Sequence, residues 1–204
     1  MKPTQRGILR SVSTIFDPLG LVCPVSMIGK VIYHEVCLQK LGWDGEVPTD
    51  LVKRWDKWIR SVALNPKVQV DRIMFADTAD KNLSIEIHGF SDSSIIACCA
   101  AVYLMVTQWT SKIVKLLTAK ARVAKPGLSV PRLELASAQM LTRVIKNIKA
   151  ALDGWQITAL YGWTDSRTVL CWLANRSEWK PFCPYESESD LARRLHFLAI
   201  LLNT

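Results

Sequence analysis

No pair of cysteines at metal-binding spacing and no apolar run of membrane-spanning length occurs in these 204 residues. The six cysteines, Cys23, Cys37, Cys98, Cys99, Cys171 and Cys183, contain no Cys-x-x-Cys, and none stands near a histidine at zinc spacing, which argues against a cysteine-built zinc site. They read as reduced, mostly buried thiols. The longest apolar stretch, Ile95 to Val106, falls short of the about 20 residues a bilayer requires, so no membrane partner is expected. Met1 to Gly7 is polar with no apolar core behind it, so no secretory signal is expected. An intracellular, soluble protein follows as the expectation. Histidine is scarce as well: His34, His88 and His196 belong to no recognisable catalytic constellation and read as structural. No internal repeat or low-complexity tract is present.

What the chain has is globular composition, 50% apolar and 22% charged, with a net charge of +8 and a pI near 9.3. A polyanion is the commonest partner of such a chain, and nucleic acid is the favoured one. At this length one ordinary domain, or a small one with an extension, can bury a core, and the pattern along the chain favours the second.

Val25 to Leu41 places Ile28, Val31, Ile32 and Leu38 at helical spacing after Pro24 and before the break at Gly42-Trp43-Asp44-Gly45. Thr49 or Asp50 can cap a second helix, along which Leu51, Trp55, Trp58 and Val62 form one stripe beside Lys53, Arg54, Lys57 and Arg60. That stripe reads as core packing with a solvated back, or as a grip on a nucleic-acid backbone. Periodicity is lost from Asn65 to Asn82, where the domain boundary is placed. Leu83, Ile85 and Ile87 then alternate toward Phe90 and Asp92, and Ala97 to Thr107 and Ile113 to Ala121 read as two more strands of an antiparallel meander. Val130-Pro131 opens a long helix reaching about Leu152, with Leu133, Met140, Leu141, Val144, Ile148 and Leu152 on one face. Ile157 to Trp163 is a strand and Ser166 to Ala174 a short helix. The expected architecture is an α/β mixed sheet, made from three antiparallel strands, a helix, a parallel strand and a helix, preceded by a small helical segment. The tail from Cys183 to Thr204 reads as a short helix or as a fragment end.

Three acids stand at the ends of these elements: Asp92 after the first strand, Glu134 one turn into the long helix, and Asp165 after the later strand. Each has a local explanation, an Asx-turn for the two aspartates and a helix dipole for the glutamate. No local explanation covers all three. Cleaving a phosphodiester calls for an activated water and for charge stabilisation at the phosphorus and the leaving oxygen. Two magnesium ions about 3.5 to 4 Å apart supply both. Magnesium takes hard oxygen ligands and keeps several waters, so a cluster of carboxylates suffices to hold it. Asp92 would bridge the ions and Glu134 and Asp165 would flank them. Lys120, Arg122, Lys125 and Arg132, around the start of the long helix, would suit contacts to the phosphates of a duplex read by shape.

The motifs Arg6-Gly-Ile-Leu9, Ile15-Phe-Asp-Pro-Leu-Gly-Leu21, Gly42-Trp43-Asp44, Phe90-Ser-Asp-Ser-Ser94, Val130-Pro-Arg-Leu-Glu-Leu135, Trp163-Thr-Asp-Ser166 and Trp172-Leu173 resemble the Pol polyprotein of Pao/BEL-type LTR retrotransposons. The region is the one often named for a Pao retrotransposon peptidase, running from the end of the reverse transcriptase into a ribonuclease H-like domain. The resemblance implies a connection over 1–72 following a reverse transcriptase, a ribonuclease H-like domain over 80–182, and a divergent or truncated tail over 183–204. It implies Asp92, Glu134 and Asp165 as catalytic, metal-binding carboxylates, with two Mg2+ ions, or Mn2+ in substitution, as cofactors. Hydrolysis of the RNA strand of an RNA/DNA hybrid is the implied activity. The hybrid and the adjoining reverse transcriptase are the implied partners, and the cytoplasm, a virus-like particle or the nucleus the implied location. Asp190 in Asp190-Leu191-Ala192-Arg193 echoes a motif whose acid is a fourth ligand. Two rival readings remain: a non-catalytic module that holds nucleic acid or the polymerase, and an aspartic peptidase. For the peptidase the nearest loop, Asp77-Thr78-Ala79, lacks the glycine that follows in such enzymes.

Overall fold

The computed structural model describes residues 3–64, 70, 83–174 and 196–199. The chain divides into two compact units, Met1–Arg72 and Ile73–Thr204.

The first unit is helical. Helix α1 (Gln5–Ser13) starts at Thr4, whose hydroxyl accepts the Gly7 N–H at 3.2 Å; helices α2 (Cys23–Leu38) and α3 (Thr49–Leu64) follow. α1 is an element the sequence reading did not anticipate. Ile8, Ile32, Val36, Val47, Leu51, Trp55 and Trp58 form its core. The tryptophan stripe of α3 is therefore packing, the plainer of its two readings. Trp58 is additionally fixed because its indole Nε1–H donates to the Val25 carbonyl at 2.8 Å. In the Phe-Asp-Pro-Leu-Gly-Leu motif, the Asp17 carboxylate accepts the N–H groups of Leu21 and Val22 at 2.8 and 2.9 Å. Gly20, at φ 77, supplies the left-handed residue that this turn needs.

The second unit is a mixed sheet with helices. Strands β1 (Leu83–Ser93), β2 (Ala97–Gln108) and β3 (Ser111–Val123) form the antiparallel meander, followed by α4 (Val130–Ala151), β4 (Ile157–Thr164), α5 (Arg167–Ala174) and β5 (His196–Ala199). Among the described residues the sheet has five strands in the order β3-β2-β1-β4-β5, with β4 parallel to β1 and β5 parallel to β4. The expected mixed sheet is present. The tail differs from the expected helix or fragment end: His196–Ala199 is a strand. Four residues are too few to display a period, and the outer edge of β4 offers unpaired backbone groups that a short strand satisfies.

α4 lies across β1 and β2. Leu133, Met140, Leu141, Val144 and Ile145 recur every three to four residues on one face and bury against Ile85, Ile87, Val102, Leu104 and Val106. Gly89 is the point of closest approach: a Cβ there would lie 2.5 Å from Leu141 Cδ1 and 2.8 Å from Ile145 Cδ1. On β1 the odd positions Ile85, Ile87, Gly89 and Ser91 are buried toward α4. The even positions His88 and Phe90 take part in an aromatic cluster on the other face.

Candidate functional site

β1 and β4 run side by side in the same direction, paired from Ile85↔Ile157 to Phe90↔Trp163. Two residues further along each strand stand Asp92 and Asp165, so both exposed acids end their strands at one level of the sheet. On the other side of β1, Asp92 pairs with Cys99 of β2, whose thiol donates to the Asp92 carbonyl at 3.4 Å. The Asp92 carboxylate accepts the N–H of Ser93 at 2.6 Å, the local turn contact that its sequence context suggests.

Glu134 comes from the opposite layer. The first turn of α4 is seated on the end of the sheet where the buried Cys98 thiol donates to the Leu133 carbonyl at 3.6 Å. Burial, with a smaller contribution from Cys99 and Asp92, pushes that thiol's pKa up. From this turn the Glu134 carboxylate reaches the Ser166 hydroxyl, which follows Asp165 directly and donates to Oε2. Ser166 also accepts the Val169 N–H at 3.2 Å, and its own N–H donates to the Thr164 hydroxyl at 3.2 Å. The hydroxyl oxygens of Ser91 and Ser93, on either side of Asp92, are buried without a hydrogen-bond partner among the described residues.

The three acids are thus gathered at one end of the sheet by the backbone, yet their side chains do not close into a cluster. Among the described residues no three His, Cys, Asp or Glu side chains are placed to hold a metal ion. Asp92 is exposed and follows His88 and Phe90 in the alternation of β1, whereas Glu134 comes from α4. Hard carboxylate oxygens suit magnesium in kind. No three of them are placed around one ion among the described residues, and no chemical step is derived through a metal.

The predicted basic residues fall on one margin. Lys120 and Arg122 pair with Ala100 and Cys98, so they share the α4-facing side of edge strand β3. Lys125 lies in the loop before α4 and Arg132 in its first turn. Asp77, Asp190 and Cys183 lie outside the described residues. Of the five described cysteines only Cys98 is buried; Cys99 and Cys171 are exposed, contrary to the expectation of mostly buried thiols. Cys99 emerges because it alternates with Cys98 along β2.

Three features of this end were not anticipated from sequence. The first is the aromatic cluster beside Asp92: His88 stacks on Tyr161 at 4.8 Å, and Phe90 lies 6.1 Å from Trp163 and 5.7 Å from Tyr103. Trp163 donates its indole N–H to His88 Nδ1 at 3.2 Å, and His88 Nε2 faces Glu86 at 3.1 Å. With Nδ1 accepting, the proton of a neutral His88 sits on Nε2 and points at the Glu86 carboxylate. The second is Ser166 and the third is Cys99. Alternating aromatics at 88, 90, 161 and 163 were the available signal for the first.

The family model described as Pao retrotransposon-like RNaseH-like domain matches residues 4–166. The chain belongs to this family. Its mixed sheet is accordingly a ribonuclease H-like fold of retroelement origin. Comparison with curated proteins yields no match. Solved structures that resemble the chain include a foamy viral protease-reverse transcriptase dRH in complex with double-stranded DNA, 12% identical with a TM-score of 0.44, the likeness covering 94% of this chain and 34% of that one. Another is LC11-RNase H1 in complex with an RNA/DNA hybrid, 10% identical with a TM-score of 0.34, covering 57% of this chain and 85% of that one. The chain spans about a third of the length of the foamy viral protein. Among the described residues no helix is long and apolar enough to cross a membrane.

Proposed function

We propose that this Pao-type ribonuclease H-like domain engages RNA/DNA hybrids beside the reverse transcriptase of its polyprotein. In this reading Asp92, Glu134 and Asp165 carry magnesium-dependent hydrolysis of the RNA strand, with Mn2+ able to substitute. One observation carries the reading: Asp92 and Asp165 end adjacent parallel strands at the same level, with Glu134 brought to the residue next to Asp165. Three acids from three elements meeting at one edge of a basic domain have no shared structural role. The reading requires the carboxylates to close up when metal and hybrid bind, by side-chain movement on backbone ends that are already in place. Lys120, Arg122, Lys125 and Arg132 supply positive charge on the neighbouring margin for the hybrid's phosphates.

A second reading has its own support. The open arrangement of the acids favours a module that holds nucleic acid or the polymerase without cutting. Incubating the purified chain with an end-labelled hybrid and Mg2+ separates the two. The hydrolytic reading expects RNA fragments, lost on addition of a chelator and reduced at least about 100-fold in Asp92→Asn. Intact RNA bound by the wild-type chain would leave only the binding module.

A further inference from the structure

The β2–β3 hairpin carries two features that the packing of the sheet does not use. From Ala97 to Val123 it holds four basic residues, Lys112, Lys115, Lys120 and Arg122, and no acidic one. All four lie on β3, an outer strand of the sheet among the described residues. Lysines on an exposed edge discourage the addition of further strands, and that alone would account for them. It does not account for the exposed apolar side chains beside them, Ile113 and Val114, or for the turn. Gln108 pairs with Ser111, so Trp109 and Thr110 form a two-residue turn. Trp109 has φ 53 and is 74% exposed. Hairpin turns place glycine or asparagine where the backbone is left-handed, and a bulky side chain there is strained. This tryptophan neither eases the turn nor fills a core. The fold holds a large aromatic ring out at the tip of an acid-free hairpin, and strain of this kind gathers where a side chain serves a ligand.

Strand register joins both features to the end where the acids stand. Asp92 pairs with Cys99 and Leu83 with Gln108, so the turn lies at the far end of β1 from Asp92, about 30 Å along the strand. Lys115, Lys120 and Arg122 pair with Leu104, Ala100 and Cys98, all buried in the core under α4, so the three cations share one side of β3. From Lys112 to Arg122 the strand spans about 33 Å, the length of roughly ten base pairs.

We propose that the β2–β3 hairpin extends the nucleic-acid interface away from the acids, with its basic residues following a phosphate backbone and Trp109 stacking on an unpaired base at the far end. The proposal rests on the hybrid-binding reading above. An acid-free basic strand selects a polyanion. Inside a duplex the faces of the bases are covered by their neighbours, so an indole meets an open face only where a strand is single, and such stacking accepts any base.

The test is fluorescence anisotropy of the full chain with two ligands: a blunt RNA/DNA hybrid of about ten base pairs, and the same hybrid with a single-stranded extension of about six nucleotides. Wild type is compared with Trp109→Phe and with Trp109→Gly, the latter a change that the left-handed backbone accommodates without loss of the fold. Trp109→Gly should bind the extended hybrid at least about fivefold more weakly than wild type and the blunt hybrid equally well, and Trp109→Phe should keep most of the wild-type affinity for both. Replacing Lys112 and Lys115 together by glutamine should lower the slope of log affinity against log salt by about one to two units. Equal affinity of wild type and Trp109→Gly for the extended hybrid, or an unchanged salt slope, overturns the proposal while leaving hybrid binding intact. A wild-type chain that binds neither ligand overturns the hybrid-binding reading and this proposal together, so the two failures are distinguishable.

Discussion

Substituting Gly89 by alanine tests the contact on which the placement of α4, and with it Glu134, depends. The added methyl would lie 2.5 Å from Leu141 Cδ1 and 2.8 Å from Ile145 Cδ1, well inside van der Waals contact. Exposed side chains would swing aside, but Leu141 and Ile145 are both 0% exposed and have no open space to enter. Either they leave their rotamers or α4 lifts from β1. Overpacking of this kind costs about 1 to 3 kcal/mol. Removing a glycine from a strand returns about 0.5 to 1 kcal/mol by reducing the freedom of the unfolded chain. The net expectation is a loss of up to about 2.5 kcal/mol. Native-state hydrogen exchange of β1 and α4 amides reads this unit separately from the helical one. A double-mutant cycle sharpens the sign. Leu141→Ala alone should cost about 2 to 5 kcal/mol by opening a cavity. In that background Gly89→Ala should become neutral or stabilising, because the methyl enters the space left by the leucine. Equal effects of Gly89→Ala in both backgrounds would refute the close-contact argument.

Replacing Lys120 and Arg122 together should weaken hybrid binding and lower the slope of log affinity against log salt by roughly one to two units, measured by fluorescence anisotropy across a salt series; an unchanged slope would remove this margin from the interface. Thiol labelling at pH 8 should modify the exposed Cys99 and Cys171 and spare Cys98, whose thiol is buried and pushed to higher pKa, as resolved by peptide mass mapping. Prompt labelling of Cys98 in the folded chain would contradict its packing against Leu133. Trp58→Phe should destabilise the helical unit by about 1 to 3 kcal/mol, since it leaves the Val25 carbonyl without its indole donor and removes ring volume from a core position. Unaltered unfolding of that unit in urea would show the indole contact to be dispensable.

Much of the second unit was legible in the sequence because its elements carry strong periods. The alternation of Leu83, Ile85 and Ile87 marks β1, and the three-to-four spacing from Leu133 to Leu152 marks α4. Their observed bounds fall within a few residues of the sequence reading. α1 was missed because Gly7, Ser11 and Ser13 dilute its helical signal, and its stability comes from the Thr4 cap and from Ile8 in the core. β5 was missed because four residues are too few to show a period, and its state is decided by the strand it meets. That Asp92, Glu134 and Asp165 come to one end of the sheet was also legible. Whether their side chains converge was not, since that depends on which way Asp92 faces, and a single residue at a strand end carries no pattern.

That distinction bears on what kind of site this is. Backbone topology fixes where Asp92 and Asp165 end, because the parallel pairing of β1 and β4 sets both strands to one register, and no side-chain rearrangement can undo it. The direction of each carboxylate is set by much weaker contacts: one backbone N–H at Asp92 and one serine hydroxyl at Glu134. Hydrogen bonds of this type contribute about 1 to 3 kcal/mol each when an ionised group takes part. Contacts of that size can be exchanged when a divalent cation offers stronger partners. A register shift between strands would instead break the whole ladder and reverse every face of β1. The open acids and the ribonuclease H-like fold are therefore compatible. On the proposed reading, what a metal site would need from the backbone is built into the sheet, and only side-chain directions would have to change on binding.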